Sequence, residues 1–335
     1  MYIKADRILS GITGGAINSA QLQTLLADPG YLGAFRSGIL YSPPRRDVLL
    51  ASPQAAAVIA GSALATSELT ATPALLQMVI AESSWLGALV KAPAAAGVLY
   101  MDTAFIAALF GSQSKAVFAP HANQITLSGS EVATWRNCVT GATHLYGYSA
   151  GARPTFNGQA AGGFTTLAFD GANDILQDGP AGLFSSSEST FYLVIRPTTM
   201  TGYRAWIGSS AANSGYFGSS GSTGQIFLES TGSYFDFPSQ AAPVANTWQM
   251  FRLRKVATGV WYAKRNAGPE VALGSAVMAS VGSLGVGYRP GGSLVPERFF
   301  AGQMAEIINL GKSAGDADAD NTRITELLRS KYALW

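Results

Sequence analysis

Clustered side-chain oxygens are the first feature of this sequence that could do chemistry. In FDGANDIL, Asp170, Asn173 and Asp174 place three hard oxygen donors within five positions, a set that calcium would accept. The same residues also suit a turn, because Asn and Asp side chains bond nearby backbone and tolerate left-handed φ. No EF-hand loop is present. Hydrolysis of a glycosidic bond needs two carboxylates roughly 5 to 10 Å apart. No strand-like stretch supplies them at alternating positions: Glu229 and Asp236 are separated by a Gly turn, Glu188 and Glu270 are isolated, and Glu306 stands alone in MAEII. Neither a Gly-x-Ser-x-Gly elbow nor a Ser, His and Asp set with a third member is expected. The two histidines, His121 and His144, lack zinc-ligand spacing, and the single cysteine, Cys138, excludes an internal disulfide and reads as a buried thiol. The expectation is a chain without enzymatic activity and without a cofactor, calcium at Asp170, Asn173 and Asp174 being the one alternative.

The elements that must position these residues change character along the chain. From about residue 120 the composition turns to Gly, Ser, Thr and aromatics, and apolar residues recur at a period near two. ITL (125–127), FTTLAF (164–169), TFYLVIR (190–196), RAWIG (204–208), QIFLE (225–229), WQMFRLRKV (248–256), VWYAKR (260–265) and QMAEIINL (303–310) read as strands, with turns such as GAND, SSGSTG and KVATG between them. In WQMFRLRK, Phe251 and Leu253 alternate with Arg252 and Arg254, which predicts one face in the core and one in water. Many short strands without intervening helices imply a two-sheet antiparallel sandwich. A closing helix is expected over about 318–332, with Ile324, Leu327, Leu328 and Tyr332 or Leu334 on its apolar stripe and DADAD at its start.

Ahead of the strands lies a repeat. Ser42, Ser52, Ser62, Thr72, Ala92, Asp102 and Ser112 recur at steps of ten or twenty, Glu82 and Ser83 filling the remaining slot. Most are N-cap types, and Pro43, Pro53, Pro73 and Pro93 follow directly at the first helical position, where a missing N–H costs nothing. Each block then runs through small or apolar residues such as AAAVIA or AFIAALF, two turns of helix before a reversal. Helices this short are unstable alone and must stack, which predicts a solenoid-like zigzag with Leu75, Leu76, Val79, Trp85, Leu86, Phe105, Ile106 and Leu109 in its seam. The expected organisation is an N-terminal docking segment over 1–41, a short-helix repeat domain over 42–115 and a β-sandwich over 116–335, an α+β multidomain chain.

Whole-chain composition narrows the partners. Twenty-two Lys and Arg balance twenty Asp and Glu, so no basic stripe is available for nucleic acid. Charged residues make up only 13% against 48% apolar, low for a freely soluble monomer, which favours life in an assembly and a homo-oligomer. No stretch approaches the roughly 20 apolar residues of a membrane span, so no membrane insertion is expected. The start, MYIKADRILSGITGG, has no run suited to a secretory signal, so synthesis in a cytoplasm is expected.

The ten-residue blocks resemble the short-helix repeats of bacteriophage tail proteins over residues 42 to about 112. GSEVATWRNCVTGATHLYGYSAGARPTFN, FTTLAFDGANDIL, TFYLVIRP, FAGQMAEIINL and ITELLRSKYALW together resemble concanavalin A-like, laminin-G-like jelly-roll modules, more narrowly those of phage and bacterial surface proteins. Val132 and Trp135 match the opening strand, Arg153 and Pro154 the RP turn, and Phe169, Asp170, Gly171, Asn173, Asp174 and Leu176 the FDG hairpin. Gly302, Glu306 and Ile307 match the last strand, and Leu328, Lys331 and Tyr332 the terminal helix. The chain departs from the pattern at WRNCVTGA, where a loop that can carry acidic ligands has lost them. The resemblance implies a jelly roll whose rim loops bind carbohydrate, with Tyr146, Tyr148, Tyr203, Trp206, Tyr216, Tyr234 and Tyr288 as candidate platforms. It further implies a virion location, most simply a tail fibre or tail-associated subunit that docks on other virion proteins through its N-terminal region and meets a host surface polysaccharide. The alternatives are a capsid-decoration or tail-scaffold protein that meets only virion proteins, and a bacterial surface lectin or adhesin.

Overall fold

The computed structural model describes residues 2–71, 73–101, 103–111, 113–139, 143–177, 188–202, 204–209, 216–220, 225–230, 233–236, 241–275, 284–288 and 298–335. The chain divides into two compact units, Met1–Leu109 and Phe110–Trp335. Short helices make up the first and an antiparallel β-structure dominates the second, an α+β chain. No helix among the described residues is long and apolar enough to cross a membrane.

In the helical unit α1 is Tyr2–Thr13, α2 Ser19–Leu26 and α3 Pro29–Phe35, the last running into a π-turn at Arg36–Leu40. There follow α4 (Pro43–Leu50), α5 (Pro53–Ala60), α6 (Ala63–Leu69), α7 (Pro73–Ala81), α8 (Ser83–Lys91), α9 (Pro93–Leu99) and α10 (Thr103–Phe110). From Pro43 onward each helix begins ten residues after the one before. Caps account for the rhythm: the Ser52 and Ser62 hydroxyls accept the N–H of Ala55 and Ala65 at 3.2 and 3.3 Å, each satisfying a first-turn amide that has no partner within its helix. Ser42 and Glu82 hold the cap positions without a side-chain bond, and Thr72, Asp102 and Ser112 lie outside the described residues. Asn18 and Gln21 form a reciprocal capping box at α2, and Asp28 caps α3. Residues of 1–41 thus carry helices of the same kind, and α1 and α2 pack on α5. Besides neighbours in sequence, the packing links α1 with α3, α4 and α5, α2 with α5 and α6, α5 with α8 and α6 with α9. Such contacts pack each short helix against others near it in sequence, as the instability of isolated two-turn helices requires. Leu75, Leu76, Val79, Trp85, Phe105, Ile106 and Leu109 are buried in this stack, and Leu86 is half-buried.

The β unit contains β1 (Ser114–Phe118), β2 (Ile125–Ser128), β3 (Glu131–Trp135), β4 (Leu145–Gly147), β5 (Thr155–Ala161), β6 (Phe164–Asp170), β7 (Leu176–Gln177) and β8 (Ser189–Pro197). It continues with β9 (Arg204–Ser209), β10 (Tyr216–Ser220), β11 (Gln225–Ser230), β12 (Ser233–Asp236), β13 (Gln249–Lys255), β14 (Val260–Arg265), β15 (Val271–Ser275), β16 (Leu284–Val286), β17 (Ala301–Leu310) and a closing helix α11 (Ala319–Tyr332). Hydrogen bonding follows two ladders. One runs β5–β6–β17–β8–β13–β14–β15, with β1 on the far end of β17. The other runs β2–β3–β4–β7–β16–β9–β10–β11–β12. A pairing of Glu131 with Thr155 joins them. Both ladders send side chains into one core, where Trp206 meets Phe251 at 4.8 Å between rings and Phe217 meets Trp261 at 4.9 Å.

The outer face of β13 differs from the alternation expected for it. Phe251 and Leu253 are in the core, yet Arg252 is only 1% exposed. Its guanidinium reaches Glu270 at 2.6 Å and Asp316 at 2.8 Å, and Arg254 reaches Glu270 and Ser313. The segment leading into α11 lies over this face, so the Arg252 charge is paired under cover while its partner Asp316 stays open to water. The Tyr192 hydroxyl adds a bond to Asn321 at 2.9 Å, and Asp318 caps the helix through the N–H groups of Asp320 and Asn321.

Candidate functional site

Strand pairing at β3, β4 and β7 brings the exposed tyrosines forward. Tyr146 pairs with Thr134 on one side and Gln177 on the other, while its neighbour Leu145 pairs with Trp135 and faces the core. Alternation then turns the Tyr146 ring outward, and it is 47% exposed. Two residues on, Tyr148 is 54% exposed, and its N–H donates to the Ile175 carbonyl at 3.3 Å. The His144 ring lies 6.3 Å from that of Tyr146, with its Nδ1 accepting the Asn137 N–H.

The loop after β4 is held from two sides. Gly151, at φ +76, occupies the left-handed region and donates its N–H to both Glu131 carboxylate oxygens at 3.1 and 3.3 Å. Its carbonyl accepts the Asn173 side-chain amide at 2.8 Å, and the Ala152 carbonyl accepts the Ile175 N–H at 3.2 Å. Asp170, Asn173 and Asp174 thereby come together as builders of the turn. Asp170 Oδ1 accepts the N–H of Ala172 and Asn173 at 2.7 and 3.2 Å, and Asp174 Oδ2 accepts the Asp170 N–H at 2.7 Å. Burial pushes the Asp174 carboxyl up to about 6; the bond from Asp170 opposes this, and the Asp170 and Glu131 charges add to it. Arg204 completes the rim by donating to the carbonyls of Gly171, Phe299 and Thr201 at 3.0 to 3.1 Å. Among the described residues no three His, Cys, Asp or Glu side chains gather as a metal-binding group.

Two phenol rings beside a rigid loop of carbonyls, carboxylates and Ser149 offer apolar faces for stacking and acceptors for hydroxyl groups. The other candidates fall elsewhere. Trp206 sits at an irregularity of β9 that turns it into the core, fully buried. Tyr216 is 2% exposed beside Ala205, and Tyr288 is 2% exposed and stacked on Phe299 at 4.4 Å. These three are packing residues and present no face to a ligand, a correction to the rim expected from their Gly- and Ser-rich surroundings. Tyr203 lies outside the described residues, as does the side chain of Tyr234, whose backbone belongs to β12.

Sequence reading missed Glu131, the loop's anchor, whose one signal was a carboxylate opening the strand EVATW. It also passed over Gly147-Tyr148-Ser149-Ala150-Gly151, which spells Gly-x-Ser-x-Gly. That motif serves a nucleophile where a strand turns into a helix; here it follows β4 into the clamped loop and on to β5. Among the described residues the Ser149 hydroxyl is bonded to no imidazole.

A second polar group is fully enclosed. Lys331 Nζ donates to Glu306 Oε2 at 2.7 Å, the Tyr332 hydroxyl donates to the same oxygen at 2.5 Å, and His121 Nε2 lies 3.3 Å from Nζ. Phe164 and Tyr332 rings stand 5.0 Å from the ammonium. Burial lowers the Lys331 pKa against the opposing pull of Glu306, and burial together with Lys331 holds His121 well below the usual imidazole range. Burial pushes the nearby Cys138 thiol up to about 12, leaving it inert. At Gly162, φ +56, an added Cβ would collide with the Lys331 carbonyl. The group fastens α11 to β17 and the loop before β6.

The class these features define is a two-part α+β chain whose larger part is an antiparallel β-sandwich. No protein-family model matches it, and no curated protein does. Among solved structures it is similar to a Trypanosoma rangeli sialidase in complex with a difluoro-KDN (9% identity, TM-score 0.45), covering 64% of this chain and 32% of that one. It is similar to domain 4 of AbnA, a GH43 extracellular arabinanase from Geobacillus stearothermophilus, in complex with arabinotriose (12%, TM-score 0.43, covering 64% and 98%). A third is the botulinum neurotoxin serotype D binding domain (10%, TM-score 0.44, covering 65% and 53%). The chain spans about a third of the sialidase's length. Nothing in these matches indicates a phage origin. The expectation of a chain without enzymatic activity is corrected here, because sialidases and an arabinanase domain stand among the matches. At these TM-scores and identities the likeness assigns no activity of its own.

Proposed function

We propose that the β unit is a laminin-G-like, concanavalin A-like jelly roll that binds glycan at the rim carrying Tyr146 and Tyr148. The observation that carries this reading is the pair of exposed phenols, 47% and 54% accessible, beside a loop fixed by Glu131 and Asn173. A ligand meeting a preformed surface loses less ordering free energy than one that must shape it. On the same reading the chain is a bacteriophage virion protein, a tail fibre or tail-associated subunit. Its helical unit meets other virion proteins, copies of the chain associate, and the β unit meets a host surface polysaccharide. The helix starts every ten residues and the order of jelly-roll motifs support that setting. Weak single-site affinity would suffice there, since display in many copies raises avidity.

The test is a titration of the full chain against bacterial surface polysaccharides, with free glycan as competitor. Saturable, competed binding is expected, falling tenfold or more in Tyr146→Ala/Tyr148→Ala at an unchanged unfolding midpoint. Folded, multimerised protein that binds no polysaccharide would sink the glycan reading, and binding untouched by the double substitution would move the site elsewhere.

A further inference from the structure

β4 carries a third ring on the face that bears the two tyrosines. Leu145 faces the core and Tyr146 faces out, so alternation turns His144 to the outer side with Tyr146, and Tyr148 follows two residues on. Backbone bonds extend the strand at both ends of this run. Tyr148 donates its N–H to Ile175 just beyond the pairing of Gly147 with Leu176. At the other end, beyond the pairing of Leu145 with Trp135, His144 Nδ1 accepts the Asn137 N–H at 3.1 Å. Three rings at alternate positions of one strand span about 14 Å, more than a single sugar ring covers. The first two stand 6.3 Å apart between centroids.

His144 is set in place by the chain itself. Asn137, only 6% exposed, accepts the N–H groups of Val117 and Val139 through Oδ1 at 2.9 and 3.1 Å, and its Nδ2 donates to the carbonyls of Lys115 and Thr143 at 3.4 Å. That side chain ties the residue before His144 to β1. Because Nδ1 accepts a backbone N–H, the neutral imidazole carries its proton on Nε2, a donor with no acceptor among the described residues. Beside Tyr146 the outer face is polar: Thr134 and Gln177 are its partners across the ladder, each half-buried and each next to a core residue, Trp135 and Leu176. A hydroxyl and an amide flanking a row of rings can bond the hydroxyls of sugars stacked there. A protein partner would call for a closed apolar centre, which half-open rings between polar flanks do not supply.

We propose that this face holds a linear polysaccharide along its length, three or more sugars lying over Tyr148, Tyr146 and His144, with His144 a contact residue that stacks and donates from Nε2. The inference rests on the glycan reading above and adds the form of the ligand, an internal stretch of chain in place of a terminal sugar. Recognition of a terminal sugar works by enclosure, and phenols that stay 47% and 54% exposed enclose nothing.

The probe is an array of bacterial capsular and O-chain polysaccharides, each printed intact and as fragments of one to six sugars, read with the full chain multimerised. Affinity is expected to rise with length and level off once the fragment covers all three rings, about tenfold above the single sugar. His144→Ala should weaken binding of trisaccharides and longer chains about fivefold and leave single sugars unchanged, because only a chain reaches the third ring. A merely structural role for His144 would weaken every length alike and lower the unfolding midpoint, which thermal unfolding reads alongside. The length dependence of the unaltered chain tests the proposal even where the variant is unstable. Single sugars bound as tightly as polymers, or a His144→Ala loss that is absent or equal at all lengths, would overturn the proposal and leave the glycan reading standing. Binding of no printed glycan by the folded, multimerised chain would take both down.

Discussion

At the residue scale, Lys331 shows how much one buried charge depends on its partner. Lys331 and Glu306 are both fully buried, so their mutual attraction and the Tyr332 hydroxyl offset the cost of taking both out of water. Removing one partner leaves the other charge in an apolar surround, whereas removing both takes the charge away altogether. Lys331→Met is expected to destabilise the β unit by about 3 kcal/mol or more, and Glu306→Leu/Lys331→Met to recover a large part of the loss. Urea unfolding followed by near-ultraviolet circular dichroism reads both. A double variant as unstable as the sum of its single variants would refute the coupling. The exposed tyrosines belong to the opposite regime: their rings contribute little to packing, so alanine there should change binding and leave the midpoint in place.

At the element scale, what could be read from the sequence divides between local and non-local causes. Helix starts were legible because a cap and a proline act on their own first turn, so Ser52-Pro53 announces α5 without reference to the rest of the chain. Strands rich in Val, Ile, Leu and aromatics, such as β8 and β17, were legible as short apolar runs bounded by turn residues. β5 (TFNGQAA), β10 (YFGSS) and β15 (VALGS) were not, since Gly and Ser weaken the alternation and only pairing with neighbours holds them extended. The same blindness placed Trp206, Tyr216 and Tyr288 on the rim, for a tyrosine beside Gly and Ser looks like a loop until a ladder carries it inward. Of the site, the FDGAND turn and Tyr146 and Tyr148 were legible, while the Glu131–Gly151 clamp, twenty residues apart, waited for the fold. Caps also separate two serines that look alike in sequence. Ser62 is buried, accepts from Ala65 and donates to Gln23, whereas Ser42 makes no cap bond. Ser62→Ala is expected to cost about 1 to 2 kcal/mol and Ser42→Ala under about 0.5, measured by thermal unfolding of the helical signal at 222 nm. Equal losses would show that the repeat's serines act through something other than capping.

At the scale of the whole molecule, two kinds of cohesion coexist in one chain. The helical unit gains stability by adding short elements to a stack, each resting on near neighbours. The β unit instead closes on itself: β17 pairs with β1, β6 and β8, strands far from it in sequence, and α11 is locked down by Glu306 and Arg252 contacts from that same structure. Every hydrogen bond described for that lock lies within Phe110–Trp335. A fragment starting at Gly111 should therefore retain a cooperative thermal transition, a β-rich far-ultraviolet spectrum and the glycan binding proposed for the rim. The complementary fragment ending near Leu109 should unfold over a broader range, because a stack of two-turn helices loses its members from the ends inward. A Gly111 fragment without a cooperative transition would mean that the β unit's core is completed from outside it, and the division into two folding units would have to be given up.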